Sequence, residues 1–178
     1  MTRLLGAVLA GGESSRFGSN KARAMLDGRS LVEHAAATLE RHADVVIVIG
    51  ERTDGLADLP RPGLGPLGGI AAALDQAASE GFRCVLTIGC DMPLVSDATI
   101  KALLRRAPAF CSDAPVLGHW QAALGAHLLA HIETAPDRSV HRWARAIGAL
   151  PIASLAPITN INTPGDLEAL ARGDLMAL

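Results

Sequence analysis

Apolar residues along the chain fall into two alternating patterns, which predict strands and helices in turn. Leu4, Leu5, Ala7, Val8 and Leu9 form a compact run of the kind that suits a strand buried on both faces of a parallel sheet. Residues 30–42 change to helical spacing, with Leu31, Val32, Ala35 and Leu39 on one face, Ser30 as a candidate N-cap and Glu33 placed for a capping box. Residues 44–50, which include Val45, Val46, Ile47, Val48 and Ile49, predict a second buried strand. Residues 56–65 are rich in Pro and Gly and predict a loop. A helix over 67–79, opened by Gly68 and Gly69, and a third strand over 84–89 follow.

The last third is less regular. Residues 122–133 and 139–148 have helical spacing, and short strands are expected at 115–117 and 150–153. A final helix is predicted over 163–172, with Thr163 as N-cap, Pro164 at the first helical position and Asp166 in the first turn. Strands alternating with helices predict an α/β fold, with a right-handed, mostly parallel sheet and helices on both sides. A chain of 178 residues fits one domain that folds alone, and it carries no internal repeat or linker.

Composition narrows the classes of function. The hydrophobic 49% rests on aliphatics and alanine, with only 3% aromatic residues, which suits helices layered on a sheet. A net charge of −2 exerts no general pull on nucleic acid or anionic lipid, so a phosphate ligand must be held by a local site. Cys84, Cys90 and Cys111 show no C-x-x-C or Cys/His cluster, so neither a disulfide framework nor a structural zinc site is indicated. The start lacks a secretory pattern and no apolar run approaches membrane-spanning length. The expectation is a soluble, cytoplasmic protein with no nucleic-acid or membrane partner.

Candidate chemistry concentrates after the first strand, in LAGGESSRFGSNK, residues 9–21. Gly11 and Gly12 let the backbone turn sharply and bring its N–H groups close to a ligand, while Arg16 and Lys21 offer cations to anionic oxygens. Ser14 and Ser15 either donate to phosphates or cap a turn. Spacing excludes both the dinucleotide fingerprint G-x-G-x-x-G and the P-loop. A second stretch, TIGCDMPLV at 87–95, sets Asp91 just beyond a buried strand, on the same rim as the glycine loop. Mg²⁺ is commonly held by one or two carboxylates plus substrate phosphates, so Asp91 either binds such an ion or caps the following turn. GLGPLGGI, 63–70, is a proline-stiffened glycine loop whose N–H groups bring positive partial charge to a helix start, or whose glycines permit close helix-to-sheet contact. In ITNINTPGDL, 158–167, an extended backbone would project Asn160 and Asn162 to one side, facing a ligand or satisfying loop backbone. His127 and His131, at i and i+4, lack a Glu-centred zinc pattern and are expected on a solvated helix face.

A-G-G-x-x-x-R-x-G-x-x-K directly after a strand resembles the nucleotidyltransferases that activate a phosphorylated partner with a nucleoside triphosphate. With GPLGG, CDMP and NINTP following in that order, the chain most resembles the molybdenum cofactor guanylyltransferase family over nearly its whole length. The resemblance implies a three-layer α/β/α Rossmann-like fold of the nucleotide-diphospho-sugar transferase type. It also implies transfer of GMP from Mg²⁺-GTP to the terminal phosphate of molybdenum-bearing molybdopterin, with release of pyrophosphate. Nucleotide binding then falls to Leu9, Ala10, Gly11, Gly12, Lys21, Gly65, Pro66, Leu67, Gly68 and Asp91; Asp91 is also the metal ligand. Arg16, Lys21 and Asp91 are the implied catalytic residues, and Asn160 and Asn162 border the acceptor. Residues from about 1 to 110 would form the nucleotide part and about 111 to 178 the acceptor part. Proteins that make or receive the cofactor are the implied partners. Two positions depart from the family pattern: Asn20 precedes the motif lysine where relatives commonly carry an acid, and Asp58 sits one position displaced, with Leu59 in its place. The alternatives are a cytidylyltransferase or other transferase acting on a small phosphorylated acceptor, and a nucleotide-binding homologue that has lost catalysis.

Overall fold

A computed structural model describes residues 3–11, 21–50, 55–135 and 137–173. In chain order the elements are β1 (Leu4–Leu9), β2 (Met25–Leu26), β3 (Arg29–Ser30), α1 (Leu31–Glu40), β4 (Val45–Ile49), α2 (Pro66–Ser79) and β5 (Cys84–Gly89). They continue with α3 (Asp97–Leu104), β6 (Ala109–Cys111), β7 (Gly118–Gln121), α4 (Gly125–Thr134), α5 (Val140–Ala146), β8 (Leu150–Ile152) and α6 (Pro164–Ala171). One six-stranded sheet runs in the order β4-β1-β5-β7-β6-β8, and β7 alone is antiparallel to its neighbours. The expected mostly parallel α/β sheet is therefore present.

Alternation along β1 explains why both faces of the sheet carry helices. Leu5, Ala7 and Leu9 pack with α2, α4 and α5, whereas Val8 turns to the opposite face with Val32, Ala35 and Leu39 of α1 and Ile100 and Leu103 of α3. Thr87 is the buried polar member of β5. Its hydroxyl donates to Val116 O at 2.6 Å and accepts from Trp120 Nε1 at 2.9 Å, so burial leaves no unmet bond there.

Local signals placed most boundaries. Ser30 caps α1 in a full capping box with Glu33, and Thr163 caps α6 in another with Asp166. Several regions differ from expectation. Residues 115–117 form a turn, and the strand begins at Gly118, where the backbone pairs with β5. Residues 122–124 are a tight 3₁₀ turn ahead of α4. Two short elements, α3 and β6, and the β2-β3 hairpin lie where no periodic pattern was long enough to signal them. Among the described residues, no helix is long and apolar enough to cross a membrane.

Candidate active site

The carboxyl ends of β4, β1 and β5 lie side by side, joined by backbone bonds. Ala10 N–H donates to Ile49 O at 2.7 Å, and Cys90 N–H donates to Leu9 O at 3.0 Å. The chain leaves β1 for β4 on one flank and then crosses to β5 on the other. The crevice at these ends is therefore a topological switch point, where open α/β sheets bind ligands. Gly50 closes one wall. At φ +136° it carries a conformation that side chains avoid, and a Cβ there would come within 2.5 Å of Gly11 N and 2.8 Å of the Ala10 carbonyl carbon. Only glycine lets β4 end so close to the loop after β1.

The opposite wall is the start of α2. Gly65 caps the helix at φ 65°, Pro66 takes its first turn, and Gly68 N–H turns inward onto Gly65 O at 3.1 Å. Leu67 is fully buried in the core, so its side chain cannot touch a ligand. Asp58 occupies the space between these walls. A Cβ on Gly11 would lie 3.6 Å from Asp58 Oδ1, one on Gly69 3.7 Å from the same oxygen, and one on Gly68 3.1 Å from Asp58 Cβ. The carboxylate thus rests among three glycines, beside the loop after β1. Leu59 instead packs against the core and donates its N–H to Gly68 O at 3.1 Å.

Asp91 lies two residues beyond β5, and its side chain folds back over Gly89, where a Cβ would collide with its Oδ1. Its Oδ2 stands 3.3 Å from Lys21 Nζ, and the same ammonium donates to Asn162 Oδ1 at 3.1 Å. The side chains of Lys21 and Asp91 are 17% and 34% exposed, so the pair is open to a ligand from one side. The following helix is capped by Ser96, not by Asp91. Ile161 N–H donates to Asp91 O at 2.8 Å, which ties the NINTP segment to the loop after β5. Asn160 and Asn162 are exposed with Ile161 buried between them, the alternation expected of extended backbone. Gly12, Arg16 and the remainder of 12–20, including Ser14, Ser15 and Asn20, lie outside the described residues.

Elsewhere, His127 Nδ1 accepts from Trp143 Nε1 at 3.3 Å, a packing contact and not a ligand set. Among the described residues no group of three or more His, Cys, Asp and Glu comes together to hold a metal ion. An ion on Asp91 would draw its remaining ligands from substrate and water, which is the habit of Mg²⁺. Sequence reasoning missed Gly50 and Gly89 as close-approach positions. The signal available was a glycine closing the apolar runs at 45–50 and 84–89.

Residues 6–151 match the MobA-like NTP transferase domain family. The chain belongs to that family. It is 33% identical over 178 residues to the molybdenum cofactor guanylyltransferase of Rhodobacter capsulatus, a match covering 93% of this chain and 93% of that relative. Its fold resembles the molybdopterin-guanine dinucleotide biosynthesis protein A from Archaeoglobus fulgidus, with a TM-score of 0.73 and 21% identity, covering 98% of this chain and 100% of the other. It also resembles a 4-diphosphocytidyl-2C-methyl-D-erythritol synthase, with a TM-score of 0.71 and 13% identity, covering 96% and 98% of the two chains. Identities this low speak to the shared fold alone.

As a MobA-like NTP transferase, the protein is a nucleotidyltransferase. The crevice brings together the Gly11 backbone, one ammonium at Lys21 and one carboxylate at Asp91, with a second carboxylate, Asp58, beside Gly11.

Proposed function

We propose that this protein transfers GMP from Mg²⁺-GTP to the phosphate of molybdenum-bearing molybdopterin, forming the guanine dinucleotide form of that cofactor and releasing pyrophosphate. The observation that carries the proposal is the meeting of Lys21, Asp91 and Asn162 at the carboxyl ends of β1 and β5. It joins the nucleotide part, about 1–110, to the acceptor part, about 111–178. The relative named for this activity spans 93% of the chain.

An oxygen of the acceptor phosphate attacks the α-phosphorus of GTP, the new P–O bond forms, and the bond from the α-phosphorus to the bridging oxygen breaks to release pyrophosphate. The nucleophile is already an anion, so no general base is required. Catalysis reduces to alignment and to neutralising charge on the leaving group. Lys21 and Arg16 supply cations to the triphosphate. Leu9 and Ala10, whose backbone is tied to the neighbouring strands, carry the chain to its edge and leave the N–H groups of Gly11 and Gly12 to meet it. Asp91 would hold a Mg²⁺ ion, which would supply positive charge to the departing pyrophosphate. The start of α2 borders base and sugar through the exposed Gly65 and Pro66, with Leu67 and Gly68 buried behind them. Asp58 accepts the N1–H and amino N–H of guanine together, a pair of donors that cytosine does not present. Asn160 and Asn162 border the acceptor. Three cysteines without disulfides suit a reducing cytoplasm.

A thermal-shift panel of nucleoside triphosphates with and without Mg²⁺ tests the proposal, since a ligand that binds the folded state raises its melting temperature. GTP with Mg²⁺ is expected to stabilise most. Lys21→Ala and Asp91→Ala are expected to lose about 100-fold or more in pyrophosphate release while still folding. Asp58→Ala is expected to lose preference for GTP over CTP. Wild-type turnover in Lys21→Ala or Asp91→Ala, or equal response to every nucleotide, would reject the proposal.

A further inference from the structure

We infer that Asn162 is a positioning residue for Lys21, so that the C-terminal segment, through an amide oxygen, sets the cation that meets the triphosphate. The inference rests on the nucleotidyl-transfer reading above but gives Asn162 a duty on the nucleotide side of the crevice.

Lys21 lies on a short 3₁₀ turn, Lys21–Arg23, and its long side chain carries considerable rotamer freedom. Among the described residues its ammonium is fixed by two bonds, to Asp91 Oδ2 at 3.3 Å and to Asn162 Oδ1 at 3.1 Å. The two acceptors differ in kind. Asp91 neutralises the ammonium it holds, whereas an amide oxygen fixes it and leaves its charge intact. An ammonium has donors only, so Asn162 must present oxygen to it. With three donors on Lys21, two fixed bonds leave one for a phosphate oxygen.

Asn162 is itself held from three directions. Its N–H donates to Asp166 Oδ2 at 2.8 Å, and the Thr163 N–H donates to the same oxygen at 2.8 Å. The preceding residue, Ile161, is 0% exposed, packs with Leu26, Leu31 and Leu170, and bonds to Asp91 O. An exposed amide on so fixed a backbone is a rigid support for a mobile cation. When a metal–triphosphate complex engages Asp91, Asn162 keeps Lys21 beside it.

The chain has two lysines, Lys21 and the exposed Lys101, so amine-selective labelling read by mass spectrometry gives a signal with an internal reference and needs no nucleotide. Asn162→Leu, which keeps the side chain's shape and removes its acceptor, is expected to raise labelling of Lys21 relative to Lys101 about fivefold. It is expected to weaken equilibrium binding of Mg²⁺-GTP about 10-fold, the lower end of what a hydrogen bond to a charged group contributes, because the bond lost is the one that holds the cation and not one to the nucleotide. In a Lys21→Met background the same change should move GTP affinity less than about twofold, because the partner is gone. An unchanged labelling ratio, or an undiminished loss of GTP affinity in the Lys21→Met background, overturns the inference. So does a rise confined to the KM for the acceptor, which is what an asparagine serving the acceptor alone would give. Absence of GTP binding by the wild type would count against the nucleotidyl-transfer reading, and the labelling ratio would still decide the contact.

Discussion

Gly89 shows how closely one residue's size is tied to the site. The Asp91 carboxylate folds back into the volume that a Cβ on Gly89 would fill, with Met92 Cε 3.1 Å from the same point. Both obstacles are ends of side chains, so the fold can absorb a methyl group, but it does so by moving the carboxylate away from Lys21. Gly89→Ala is therefore expected to lower turnover by at least about tenfold, since small displacements of catalytic groups are costly, while shifting the melting temperature by only about 2–4 °C or less. Steady-state turnover beside a melting curve checks this. A variant that melts early but turns over normally would show that the glycine serves the strand and not the carboxylate. Asp58 gives the complementary lesson: small residues at Gly11, Gly68 and Gly69 leave the room in which its side chain rests.

At the scale of elements, the start of α6 combines a cap with a titratable switch. Asp166 is held below its ordinary carboxylate range, chiefly by accepting the N–H groups of Asn162 and Thr163. A depressed carboxylate contributes stability that is present above its unfolded value, near 4, and is lost as pH falls through its lower folded value. Acidification below about pH 4 should thus loosen the NINTP segment. Asp166→Asn removes that titration, and acid titration followed by the exchange of α6 amides should show a flatter profile than the wild type. An identical profile would mean that other carboxylates govern this region. The cap itself was legible in the sequence because Thr163, Pro164 and Asp166 are local signals, and the same holds for Ser30 and Glu33 at α1. Elements set by partners were not legible. Strand β7 starts at Gly118 because β5 is there to pair with it, and three-residue β6 and eight-residue α3 are too short for periodicity to separate from loop. Likewise, the order of the four motifs pointed to one crevice, but the bond from Lys21 to Asn162 spans 141 positions, and no spacing rule predicts it.

Across the whole molecule, the helices are not equally anchored. Helices α2, α4 and α5 cover one face of the sheet and α1 and α3 the other, each against an extensive apolar cluster. Helix α6 joins neither. Its apolar contacts belong to a small cluster built on Leu26, Leu31, Ile161 and Leu170, and its ties to the sheet's end run through the Ile161–Asp91 backbone bond and the Lys21–Asn162 contact. Local opening free energy follows buried apolar contact, so α6 and the segment before it should open without the sheet. In native-state hydrogen exchange, amides of α6 are expected to exchange at least about 100-fold faster than those of β1 and β5. Ile161→Ala should widen that gap, because it empties the middle of the small cluster and leaves the two larger ones intact. Mg²⁺-GTP should narrow it, because Lys21 and Asp91 are the proposed contacts of the nucleotide and also the points where the C-terminal segment is tied down. Exchange of α6 in step with β1 in the ligand-free protein would show a single cooperative unit, and the C-terminal segment would then be a fixed wall of the crevice instead of a part that the nucleotide steadies.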